Sequence, residues 1–120
     1  MNNTLLNRTK KFGLDCWFLC SKLPKTREYN AYVNQLIRCS SSVGANYRAS
    51  QRAKSSADFI NKLKIVEEET DESQFFLELI LCANENNQLN TIITQLIQES
   101  EELLSITVAS IKTARKNNNK

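Results

Sequence analysis

Residues 55–83, SSADFINKLKIVEEETDESQFFLELILCA, decide the fold class. Ser55-Ser56-Ala57-Asp58 reads as a helix start, with a hydroxyl to receive free backbone N–H groups and an acid in the first turn. Phe59, Leu63, Val66, Thr70, Ser73, Leu77 and Ile80 then recur at intervals of three and four, the spacing of one inward face on a helix. Neither Gly nor Pro interrupts the run, so the helix is expected to continue to about Ala83.

Outward from this segment the same period repeats. Asn84 to Gln88 is a polar loop, and a further helix follows to about Arg115 with Leu89, Ile93, Leu96, Ser100, Leu103, Thr107 and Ile111 inward. Upstream, Arg27 to Lys54 places Tyr29, Val33, Leu36, Ser40, Val43 and Tyr47 on one face. Gly44 is costly inside that helix, and its place beside Val43 and Tyr47 implies close packing of a neighbouring backbone. The first helix spans Leu5 to Lys22, with Leu14, Trp17, Phe18 and Ser21 expected inward. Leu23-Pro24-Lys25 ends it, because a residue before proline is pushed out of the helical region. Residues 116–120 are expected to fray. Short connections make neighbouring helices antiparallel, so the expectation is an all-α, up-down-up-down four-helix bundle in one domain over residues 1–120.

Composition agrees. Pro24, Gly13 and Gly44 are the only such residues among 120, whereas a strand-rich chain consumes many in turns. No apolar run reaches the roughly 18 residues that span a bilayer, and Met1-Asn2-Asn3-Thr4 carries no apolar signal core, so a cytoplasmic protein is expected. Cys16, Cys20, Cys39 and Cys82 form no CxxC pair. Cys16 and Cys20 could share a helix face, but small buried thiols are the better reading than a metal pair.

There is no histidine, which removes the commonest general base and metal ligand and excludes a ferritin-type di-iron bundle. No glycine loop can cradle a phosphate, and of nucleophile chemistries only a Ser–Lys pair stays open. The expectation is a non-enzyme with no cofactor and no metal. The acidic run Glu67 to Glu72 lacks a calcium-loop pattern and reads as a solvated or inter-subunit face.

Charge is partitioned. Residues 1–64 hold 12 Lys/Arg against 3 Asp/Glu, residues 65–111 hold 10 Asp/Glu and no Lys/Arg, and residues 112–120 add four bases. This fits a nucleic-acid surface, and equally a mutual attraction of the two halves within or between subunits. In the second helix Asn34, Arg38, Ser41, Ala45, Arg48 and Arg52 fall within about 80° of one another, a basic ridge spaced by small residues. Arg38, Arg48 and Arg52, with Lys54 and Lys62 nearby, are candidate RNA-phosphate contacts. The alternative is a solvated face, or one paired with Glu68, Glu69 and Glu72 across subunits. In the third helix Ile65, Phe75 and Leu79 form a second apolar stripe among Glu68 and Glu72, a candidate self-association surface.

Val43-Gly44-Ala45-Asn46-Tyr47-Arg48-Ala49, Arg52-Ala53-Lys54-Ser55 and Asp58-Phe59-Ile60-Asn61-Lys62-Leu63 together resemble the central block of the bacterial four helix bundle protein family. Its members are labelled as proteins encoded in intervening sequences of large-subunit ribosomal RNA genes. The likeness continues through Glu68 to Ser73, Phe76 to Leu79, Glu101 to Leu104 and Ala109 to Arg115, and departs at Phe76, where the family usually has Trp. The resemblance implies a bundle assembling as a ring-like homopentamer. The chain is also similar to the accessory variability protein of diversity-generating retroelements, a pentameric barrel whose basic surface engages RNA and a reverse transcriptase. From the resemblance the expected partners are a second copy of the chain and RNA or a reverse transcriptase, with no membrane and no small-molecule substrate.

Overall fold

The computed structural model describes residues 3–118 and contains four helices: α1 (Thr4–Ser21), α2 (Arg27–Ser50), α3 (Ser56–Ala83) and α4 (Asn87–Asn118). They form a compact rod of 52 × 25 × 22 Å with no strand among the described residues. Each helix packs on the next in sequence, and α1 closes the set against α4. No described helix is long and apolar enough to cross a membrane.

Polar side chains fix where the helices begin. Asn3 Oδ1 accepts from the amides of Leu5 and Leu6, Thr26 Oγ1 from that of Tyr29, Ser55 Oγ from that of Asp58, and Asn86 Oδ1 from that of Gln88. Each satisfies a donor that the first helical turn leaves free. The expected start at Ser55 is thus correct. Helix α2 stops at Ser50, four residues short of the expected Lys54. Its last turn tightens through bonds from the amides of Arg52 and Ala53 to the carbonyls of Ala49 and Ser50, and the Lys54 amide is taken by Asp58 Oδ2. At the other end of the chain, helix α4 continues through Lys116 to Asn118, where fraying was expected; residues 119 and 120 lie outside the described ones.

The inner stripes of α2, α3 and α4 are those read from the period, with Tyr29, Val33 and Phe59 only partly covered. All seven expected residues of α4 are buried. Hydroxyls within the α3 and α4 stripes return to their own helix, whereas Ser40 Oγ in the α2 stripe is buried without a partner among the described residues. Thr70 Oγ1 donates to Val66 O at 2.6 Å, Ser73 Oγ to Glu69 O at 2.7 Å, and Thr107 Oγ1 to Leu103 O at 2.7 Å. These three hydroxyls therefore enter the core already paired, which removes most of the cost of burying them.

Helix α1 is where the expected face fails. Leu14, Trp17 and Phe18 are 50–53% exposed and Ser21 is exposed, while Thr9, Phe12, Cys16, Leu19 and Cys20 are buried. The true stripe has the right spacing but is masked by small and polar members, whereas the larger rings lie on the outer side.

Gly44 confirms the close approach expected there. A Cβ added at Gly44 would lie 3.2 Å from Thr9 O, and one added at Gly13 would lie 3.1 Å from Ser40 O. Two glycines facing each other's helix let the α1 and α2 backbones touch. Beside this crossing Cys16, Cys20 and Cys39 are buried free thiols, and burial pushes all three toward their neutral form, Cys20 up to about 11. Cys82 departs from the buried-thiol expectation and is exposed.

Candidate nucleic-acid interface

Of the basic residues singled out in the sequence, Arg38 parts from the rest. Arg38 folds onto α3 of its own chain: Nη1 donates to Glu69 Oε2 at 3.1 Å, Nη2 donates to Glu72 Oε2, and Nε donates to Gln35 Oε1 at 3.3 Å. Its charge is largely answered there, so it joins α2 to α3 rather than reaching outward. The acids proposed as cross-subunit partners are in part spent on this contact within one chain.

Arg48, in the last turn of α2, and Arg52, two residues past its end, are both exposed, and neither is in an ion pair with a described residue. The tightened end of α2 and the capped start of α3 place Lys54 in the corner between them. Ser55 Oγ receives the Asp58 amide at 3.0 Å while Asp58 Oδ2 receives the Lys54 amide at 3.2 Å, a reciprocal arrangement that fixes the corner. Arg48, Arg52, Lys54 and Lys62 then line one concavity of about 650 Å³, with Ala45 and Ala49 as its smooth wall and Asp58 as its single acid. Four cations thus face one carboxylate, itself engaged by a backbone amide, and leave the corner with an excess of positive charge.

Sequence reasoning missed the flank of this site. Lys10, Leu14 and Trp17 of α1 line a groove that also holds Arg48 and Arg52. Reading Leu14 and Trp17 as core residues concealed it. It also missed the α1–α4 clamp, in which Arg8 Nε and Nη2 donate to the two carboxylate oxygens of Glu99 at 3.0 and 2.6 Å. This hydrogen-bonded pair raises the Arg8 pKa further and holds its charge.

Of the candidate self-association residues, Phe75 is 53% exposed and Ile65 36%, Glu68 is exposed, and Leu79 is half-buried. Phe75 meets Phe76 edge-on at 5.6 Å, and Phe76 tilts against Tyr32 at 6.0 Å, so the exposed ring is backed by an aromatic cluster. Glu72 faces Arg38 of its own chain.

A four-helix all-α chain with a basic corner at the α2–α3 turn defines the class. The model of the 23S rRNA-intervening sequence proteins matches residues 1–109, and the chain belongs to that family. A crystal structure of a protein with unknown function from the S23 ribosomal protein family of Bacteroides thetaiotaomicron VPI-5482 is similar, with a TM-score of 0.81. The identity is 27%, covering 90% of this chain and 98% of that one. No curated protein matches.

Proposed function

We propose that this chain is a non-catalytic, cytoplasmic, homo-oligomeric binding protein that contacts RNA, or a nucleoprotein such as a reverse transcriptase, through the α2–α3 corner. The observation that carries this reading is the gathering of Arg48, Arg52, Lys54 and Lys62 around one concavity with no described ion-pair partner for any of them. Unspent cations on a pre-set corner suit a polyanion. The bundle is read as up-down-up-down and antiparallel. Supporting contacts are Asn3 with Tyr47 and Gln51, Gly13 with Ser40, Tyr29 with Ala83, and Arg8 with Glu99. Assembly is read as a ring, five subunits by family resemblance, through the Ile65/Phe75 stripe; an exposed ring among acids on a helix is characteristic of an interface. A ring repeats the corner and raises avidity without new contacts.

A second reading is favoured by the Arg38 contacts with Glu69 and Glu72. Here the protein is a structural adaptor whose basic and acidic faces serve only assembly and protein contact.

Fluorescence anisotropy with structured and unpaired RNA at several salt concentrations tests the first reading. Four phosphate contacts per subunit give a log–log salt slope of about −3, at roughly 0.7 per contact on single strands. Arg48→Glu with Arg52→Glu should remove about half of that slope and most of the affinity while helicity and assembly persist. Weak, salt-insensitive binding, or equal binding by the variant, would leave the adaptor reading in its place.

A further inference from the structure

On the α1 side of Arg48 and Arg52 runs a groove of about 700 Å³, within the roughly 300–1,000 Å³ of ligand-sized clefts. Lys10, Leu14 and Trp17 follow one stripe of α1 along it, and Arg48 in the last turn of α2 and Arg52 just past its end line the other side. Its floor lies where Gly13 and Gly44 bring the two backbones into contact, so no side chain rises from the crossing itself. Three cations line the groove and no carboxylate does.

Trp17 is 52% exposed, and its ring is braced by an edge-to-face contact with Phe18 at 5.2 Å. A braced, half-exposed indole in one groove with two arginines four residues apart combines a stacking platform with a phosphate track. Unpaired nucleotides need both, whereas a duplex keeps its base faces stacked out of reach.

We infer that the α1–α2 groove takes a segment of single-stranded RNA, one base stacking on Trp17 while the flanking phosphates lie on Arg48 and Arg52 with Lys10 on the opposite wall. This rests on the proposed RNA binding at the neighbouring corner and specifies its class, unpaired rather than duplex strand.

Trp17 is the single tryptophan of the chain, so its emission reports on the groove directly. The full chain is titrated with an unlabelled oligouridylate while tryptophan emission is followed. A labelled copy of the strand, alone and annealed to its complement, gives affinities by anisotropy. The single strand should quench Trp17 and bind more tightly than the duplex. Trp17→Ala should weaken it roughly 5- to 150-fold, the range for loss of one base–aromatic stack, and Trp17→Phe should recover most of the loss. If Trp17→Ala binds like wild type while Arg48→Glu/Arg52→Glu is weakened, the groove is refuted and the basic corner stands. If neither variant is weakened, both readings fail. If Trp17→Ala shrinks the assembly in light scattering, the groove is a subunit contact and the inference is overturned. Should Trp17→Ala lose helicity, Trp17→Leu replaces it. Binding by the wild type without any quenching also overturns the inference.

Discussion

Replacing Gly44 with alanine sets two effects of known sign against each other. In a helix interior alanine is favoured over glycine by about 1 kcal/mol, so propensity alone predicts a more stable protein. The added Cβ, however, would lie 3.2 Å from Thr9 O and 3.3 Å from Lys10 N, both backbone atoms of α1. Helix α1 cannot yield locally at that point. Its start is tied to α2 by hydrogen bonds from Asn3 to Tyr47 and Gln51, and its middle meets Ser40 at Gly13. Relief therefore requires a shift of the whole helix by a few tenths of an ångström, and forced overpacking of this kind costs about 1–3 kcal/mol. The net expectation is a loss of about 1 kcal/mol, seen as a Tm lower by about 4 °C in a domain of this size. Thermal and urea unfolding followed by helical ellipticity, at one fixed protein concentration, measures it. Gly13→Ala should behave alike. Because one outward shift of α1 accommodates both methyl groups, the double variant should cost less than the two single losses added together, by at least about 0.5 kcal/mol. A Gly44→Ala variant that melts higher than wild type would refute the close-contact account and leave propensity in command.

Phe75→Glu should dissociate the assembly while each subunit keeps its helicity; multi-angle light scattering checks it, and an intact oligomer rules out the α3 stripe. Phe18→Glu, on α1, should dissociate it in the same assay, whereas Trp17→Ala should leave it assembled. Stability should fall on the alkaline side. Burial raises the Cys20 pKa from its ordinary 9.0 to about 11, so the contribution of the neutral thiol is complete below pH 9 and is lost as pH rises towards 11. Urea titrations across that window should show the decline, and Cys20→Ala should flatten part of it.

Three of the four helices were legible because their inward residues are large and regularly spaced. In α4 the run Leu89, Ile93, Leu96, Ser100, Leu103, Thr107, Ile111 tolerates its hydroxyls because they fall in register, and all seven are buried. The α1 face was illegible for a physical reason. Its buried set dilutes Phe12 and Leu19 with the small or polar Thr9, Cys16 and Cys20, and size-weighted reading prefers Trp17 and Phe18. The basic corner was half legible. Arg48 and Arg52 were found by angle along α2, but angle alone cannot show that Arg38 reaches Glu69 and Glu72 one helix away. Nor could it show that α2 stops at Ser50 and turns Lys54 into the corner.

The misread face bears directly on how a ring could close. A two-fold contact lets one patch meet itself, but a closed ring of more than two subunits needs two different patches, one on each side of every interface. In the proposed ring the Ile65/Phe75 stripe on α3 must therefore meet some other apolar surface. Helix α1 offers two. The groove containing Phe18, 50% exposed, runs between α1 and α4 and carries both signs of charge, Lys11 and Lys22 with Asp15 and Glu99. The groove containing Leu14 and Trp17 runs between α1 and α2 and carries only cations. The α3 stripe brings an aromatic ring with the exposed Glu68 near it, which suits an apolar surface that also offers Lys22, Lys11 being paired with Asp15. Pure positive charge beside an indole suits phosphate and base instead. This division assigns Phe18 to the neighbouring subunit and Trp17 to RNA. It is the reason that, of two substitutions one residue apart on the same helix, Phe18→Glu should fail in light scattering and Trp17→Ala should not.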